Sequence, residues 1–167
     1  MWRSFNKRMS VAATLASTVA LAVFPGVAGA ADRLTLPAGL ACSFELQVDI
    51  VSGDHRVNRT FVDANGNPVR ILEAGFGNQL TFTNASTGST IALPANGSVS
   101  QTVIKADGSQ TVTLSGHNVL ILFPSDVPAG PSTTLYVGRV VFTVDVNGVF
   151  TLVSTSGTAT DICAALS

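Results

Sequence analysis

Turn-forming residues recur so closely along this chain that the segments between them are long enough only for short strands. The breaks are Ser52-Gly53-Asp54, Asp63 to Pro68, Asn84 to Ser89, Pro94 to Gly97, Asp107-Gly108, Ser115-Gly116, Pro124 to Ser132 and Asn147-Gly148. Each combines Gly, Pro, Asn, Asp or Ser, the residues that tolerate or preset turn geometry. Between them lie candidate strands near Val57-Val62, Val69-Glu73, Gln79-Thr83, Thr90-Leu93, Val99-Lys105, Gln110-Leu114, Asn118-Phe123, Thr133-Val146, Val149-Ser154 and Thr158-Ala164. The clearest element precedes them: Cys42, Phe44, Leu46, Val48 and Ile50 alternate with Ser43, Glu45, Gln47 and Asp49, the two-residue period of a strand with one buried face. No segment has a convincing helical period, and straight-chain helix formers are scarce relative to Val, Thr, Ser and Gly. The expectation is an all-β fold: an antiparallel sandwich or barrel-like domain of about eight to ten short strands.

The first thirty residues differ from the rest. Arg3, Lys7 and Arg8 precede an uncharged apolar run from Val11 to Phe24, then Pro25-Gly26 and the small-x-small tripeptide Ala28-Gly29-Ala30. That layout is a signal peptide, with cleavage expected after Ala30, and the run is shorter than the roughly 20 residues a membrane span needs. Residues 31-41, ADRLTLPAGLA, read as an extended lead-in, and 42-167 as a single β-sandwich domain. No second apolar segment approaches a span, so the mature chain is expected to be soluble, with no transmembrane anchor after leader removal. It keeps six basic against ten acidic residues, a formal charge near −4. Its cations, Arg33, Arg56, Arg59, Arg70, Lys105 and Arg139, are scattered, whereas nucleic-acid binding draws on a dense basic patch, so nucleic acid is not an expected partner.

Export carries the two cysteines, Cys42 and Cys163, to a compartment where disulfides persist, and two thiols allow one pairing. Neither has a CxxC partner or a neighbouring His, as a reactive or metal-bound thiol would. With Cys42 opening the first patterned strand and Cys163 placed in the last, the bond is expected to join the terminal strands, paired in one sheet or facing across the core.

Three local features carry further expectations. Asn147-Gly148 between alternating apolar runs suits a type I′ hairpin turn. Gly138 interrupts the preceding run, which could bulge or pass between sheets there. Val119 to Phe123 is apolar on both faces, as in a central strand covered on each side or one half of an interface, and the following loop, Pro124 to Ser132, is the longest connection and the best place for a binding edge.

The Ala-x-Ala leader, the Cys-Ser-Phe-x-Leu-x-Val opening at Cys42, the Gly138-Arg139-Val140 hairpin ending in Asn147-Gly148, and the closing Asp161-Ile162-Cys163-Ala164-Ala165-Leu166 together resemble small exported hypothetical proteins of actinomycete bacteria. The resemblance covers most of the mature chain and implies an exported β domain. It implies no activity for any residue.

Chemistry-bearing motifs are sparse. A nucleophilic hydrolase needs a base beside its Ser or Cys, but the histidines are His55 and His117, both after turn signals, and no Gly-x-Ser-x-Gly elbow occurs. Two distant histidines also lack zinc-ligand spacing. Glu45, Asp49 and Glu73 could supply a glycosidase pair, yet alternation puts Glu45 and Asp49 on a wet strand face. The mature chain has no Trp and one Tyr, Tyr136, which disfavours a stacking platform for sugars. Asp63-Ala64-Asn65-Gly66-Asn67 begins like a calcium loop, but Pro68 stands where Gly is needed and Ala74 where Glu is needed, leaving a hairpin turn. The sequons at Asn58, Asn84 and Asn96 carry no meaning in a bacterial chain, Leu93 to Gly97 lacks the Thr and apolar tail of a sortase signal, and Gly39 spoils a lipobox ending at Cys42. The expected function is that of a secreted non-enzymatic module, extracellular or envelope-associated, that binds an extracellular protein or envelope component or serves structurally, without a cofactor. The alternative is a secreted hydrolase or protease inhibitor acting through loop residues of no recognised motif.

Overall fold

A computed structural model describes residues 32–53 and 55–167; the expected leader and its cleavage point lie outside the described residues. The chain forms β1 (Asp32–Leu36), β2 (Leu46–Val51), β3 (Arg56–Val62), β4 (Pro68–Phe76), β5 (Gln79–Asn84), β6 (Thr90–Leu93), β7 (Gly97–Ile104), β8 (Gln110–Leu122), β9 (Ser132–Val144), β10 (Phe150–Asp161) and a final helical turn, α1 (Ile162–Ala165). Every strand pairing is antiparallel, in a four-stranded sheet of order β1-β2-β5-β6 and a six-stranded sheet of order β10-β9-β8-β7-β4-β3. The all-β sandwich expected from the turn spacing is the architecture found.

The first core lies between the sheets. Leu46 and Val48 of β2 and Phe82 of β5 face inward with Leu36, Ala41, Cys42, Ile162 and Leu166, and Val119, Ile121 and Leu135 of the larger sheet pack against them. Burial of a side chain such as Phe82 or Ile162, each about 1% exposed, stabilises the fold by about 1.5–3 kcal/mol. Alternation along β2 is as read, with Gln47 and Asp49 turned outward. Its strand begins only at Leu46, however, because Cys42–Phe44 bend. Residues 31–41 are more than a lead-in: Asp32–Leu36 pairs with β2 from Asp32 opposite Ile50 to Leu36 opposite Leu46, and Arg33 grips Asp49 directly across the pair. Lone β1 shows little periodicity because only Leu36 of its five residues is buried.

The larger sheet departs from the expectation in two places, both at glycine. Ser115-Gly116 does not turn, and Ser156-Gly157 does not interrupt, so β8 and β10 each run as one long strand where the sequence suggests two. Gly116 lies opposite Gly138, and Gly138 opposite Gly157, while Ser98 links Gly116 to Gly75. All four glycines have positive φ, from +94° to +146°, three of them in mid-strand and Gly75 next to the end of β4. A row of such residues across the sheet is a fold line, because an L side chain could not adopt this backbone and its Cβ would meet the neighbouring strand: at Gly138 it would come 2.2 Å from the carbonyl oxygen of Ser156. β9 therefore bends at Gly138 without leaving its sheet. The bulge sits in its partner, between Leu152 and Ser154.

Folding the sheet explains a second core. Val112, Leu120 and Leu122 of β8 share one face with Val140 and Phe142 of β9, and all are buried although the four-stranded sheet covers the opposite face. In a flat strand Val112 and Leu120 would stand about 26 Å apart on an open surface. Bent at Gly116, the sheet closes over its own face, with Phe142 stacked on Phe150 at 5.1 Å. Val119 and Ile121 meanwhile face the first core, so the stretch apolar on both faces is covered on both.

The disulfide joins Cys42 and Cys163, with Cα atoms 5.5 Å apart. It does not join two strands as expected. Cys42 lies in the bend before β2, and Cys163 lies in α1, because Asp161 ends β10 by capping the helix, its carboxylate accepting from the Ala164 N–H at 3.0 Å. β1 and β10 belong to different sheets, and the bond ties the entry of one to the exit of the other.

Candidate functional site

The fold line also makes the most site-like surface of the molecule. β7 pairs with β8 only as far as Ser98 opposite Gly116, where the chain has crossed from β6 in the other sheet. Beyond Gly116, β8 pairs with β9 alone, and the space beside it stays open. Two adjoining cavities fill that space and share Arg56, Ser98 and Asn118. One, ≈ 180 Å³, lies at the mouth between the sheets, where Leu80, Leu93 and Val119 form an apolar wall and Asn78, Asn96 and His117 add polar groups. The other, ≈ 230 Å³, lies on the folded face and adds Glu73, Ser100 and Leu114.

Register places the shared residues. Arg56 of β3 lies opposite Gly75, Gly75 opposite Ser98, and Ser98 opposite Gly116, two residues before Asn118. The rim is held by backbone bonds: the Gly77 N–H donates to the Asn96 carbonyl at 2.9 Å and the Phe76 N–H to that of His55 at 3.2 Å. Glu73 accepts from the Asn58 amide at 3.3 Å. The Asn118 Nδ2 group is buried and, among the described residues, donates to nothing. A buried amide without an acceptor costs about 1–3 kcal/mol.

The residues singled out in the sequence are dispersed. His117 lines the cavity at the sheet mouth, while His55 is exposed before β3 and lines neither cavity. Glu73 is in the groove. Asp49 lines neither cavity and is held on the outer face of the four-stranded sheet in a bidentate pair with Arg33, at 2.6 and 2.9 Å, and that hydrogen bonding holds its carboxyl below the usual carboxylate range. Glu45 accepts from Gln47, so the three carboxylates do not assemble. Among the described residues no three His, Cys, Asp or Glu side chains are grouped as metal ligands would be.

Asp63 is occupied by its own turn: its carboxylate accepts from the N–H groups of Asn65 and Asn67 at 2.8 and 2.9 Å, which lowers its pKa. Asp145-Val146-Asn147-Gly148-Val149 repeats this arrangement, with Asp145 accepting from Asn147 and Val149. The Gly148 N–H donates to the Asp145 carbonyl, which makes Val146 and Asn147 the central residues. This is a three-residue loop with Gly148 left-handed at φ +83°, not the expected type I′ turn centred on Asn147-Gly148. The Asn84 side chain is buried, its amide donating to the Leu166 carbonyl.

Pro124 to Ser132 is fastened to the sheet. Buried Asp126 accepts from the N–H groups of Phe123 and Phe150 at 2.7 and 3.1 Å, and Val127 bridges Thr151, strapping the loop to β10. It lines neither cavity. Arg56, Ser98, Ser100 and Asn118, which do, belong to no motif. One signal was available: Asn118 is a lone amide in the series Val112, Leu114, Leu120, Leu122 that otherwise builds the second core.

Compared with known proteins, the chain matches no family model, no curated protein and no solved structure. Among the described residues no helix is long and apolar enough to cross a membrane.

Proposed function

We propose that this chain is an exported, non-enzymatic binding module of the extracellular space or cell envelope, and that the groove at Arg56, Ser98 and Asn118 takes an oxygen-rich group, a sugar unit of an envelope glycan. The observation that carries this is the buried Asn118 Nδ2 donor without an acceptor where the two cavities meet. Arg56 brings further donors, Ser98 and Ser100 hydroxyls, and Glu73 an acceptor, a set that recognises hydroxyl and carboxylate oxygens by hydrogen bonding instead of aromatic stacking. The disulfide and the resemblance to small exported actinomycete proteins support the compartment. Cleavage after Ala30 leaves every strand of the described residues whole, since β1 begins at Asp32.

Calorimetric titration with neutral and acidic oligosaccharides released from actinomycete envelopes tests the reading. Binding is expected, and Asn118→Leu should weaken it about 10-fold or more. In the free protein the same substitution removes an unpaired buried donor and should leave the melting temperature unchanged or raised. Absence of binding across the panel, or equal binding by the variant, would overturn the assignment. Turnover of an oligosaccharide, lost on changing His117 or Glu73, would replace it with the hydrolase reading. N-terminal sequencing of exported protein should begin at Ala31.

A further inference from the structure

We infer that the outer edge of β10 is a self-association surface, through which two copies of this chain join their six-stranded sheets into one continuous sheet. An exposed strand edge offers unpaired N–H and C=O groups, and proteins ordinarily guard such edges with charge, proline, bulges or brevity. Three of the four edges here are guarded. β3 carries Arg56 and Arg59, the latter over Phe61, and a register break at Phe61/Val62; β1 has five residues and includes Asp32 and Arg33; β6 has four. β10 has twelve residues, no proline, and no charge before Asp161, which is engaged as the helix cap; its one bulge, between Leu152 and Ser154, lies at one end and leaves Ser154–Asp161 in unbroken register with β9.

The geometry of the free stretch points to a second copy as the occupant. Val127 closes the outer edge at Thr151, and α1 ends it after Asp161, so among the described residues Val153–Asp161 pairs with β9 on one side and with nothing on the other. That stretch is nine residues centred on Gly157, where β10 bends with positive φ. A strand laid beside it must bend at the same height. An antiparallel copy related by a two-fold axis does so in one register, Gly157 opposite Gly157, which continues the fold line across both molecules and pairs the whole free stretch from end to end. Ser156 then faces Thr158 of the other copy, and Ser154 faces Thr160, small hydroxyl pairs without repulsion.

Sedimentation equilibrium of the oxidised mature protein should give twice the chain mass at micromolar concentration. Ser156→Lys with Thr158→Lys sets like charges opposite one another in this register and should yield monomers, raising the dimer dissociation constant at least about 100-fold. Ser156→Lys with Thr158→Glu sets opposite charges together and should remain dimeric. Unchanged circular dichroism with a cooperative melting transition would show that both variants are folded. A monomeric parent protein overturns the inference, as does a dimer indifferent to the double lysine change, which would place the interface elsewhere. If the charge-swapped variant is folded and monomeric, the register is overturned.

Discussion

Aspartates do much of the local work in this chain, and they do it by accepting backbone hydrogen bonds. Asp63 and Asp145 each close a hairpin through two N–H groups, and Asp107 accepts from the hydroxyl and N–H of Ser109. These bonds, foremost from Asn67 to Asp63, from Ser109 to Asp107 and from Val149 to Asp145, favour the ionised form and lower all three pKa values, as the Arg33 bond does for Asp49. A carboxyl with its folded-state pKa below the ordinary 3.8 contributes stability that is present above that value and is lost as pH falls through the folded one. The melting temperature should therefore fall as pH is lowered from about 5 towards 2. Replacing Asp63 with Ala should lower it at pH 6 and change it far less at pH 2; a difference that persists undiminished would assign the effect to chain entropy instead of the carboxylate. The turns themselves were legible because Asp-x-Asn-Gly is a local signal. The emptiness beside Asn118 was not, since it depends on where β7 stops.

Strand lengths show how glycine acts differently in different surroundings. Gly66 and Gly116 both follow polar residues and read alike as turn markers, and both have positive φ. Gly66 projects into open space, whereas a Cβ at Gly116 would lie 2.4 Å from the carbonyl oxygen of Gly97 on β7. Gly66→Ala should therefore cost only the left-handed penalty, about 1 kcal/mol, and Gly116→Ala at least about 2 kcal/mol with distortion of the fold line. Chemical denaturation of the two variants checks the contrast, and equal losses would mean that the row of glycines does not set the bend. Ser115-Gly116 suggests an end to β8 for the same reason: within one strand a glycine that bends the sheet has the same signature as one that ends the strand. Only the partners, Gly138 and Gly157, distinguish them.

At the scale of the molecule, the two sheets are held by the first core, by the Thr133 hydroxyl donating to the Ala41 carbonyl, and by the disulfide beside it. The bond spans 121 residues, and in the chain-entropy account a loop of this size is worth up to about 5 kcal/mol. Cys42→Ser with Cys163→Ser should lower the melting temperature by roughly 6–10 °C even if only about 2 kcal/mol is lost. A variant melting with the parent would show that the bond forms without stabilising the fold. Alternation along Cys42–Ile50, the spacing of turns and the pair of cysteines determined the fold class, the inward residues of β2 and the identity of the disulfide, because each rests on local periodicity or on there being a single pairing. The tertiary structure decided which strands share a sheet, that Arg56, Ser98 and Asn118 line one groove, and that Pro124 to Ser132 is tied to β10. Those outcomes depend on register between residues far apart in the chain, which side-chain period alone does not encode.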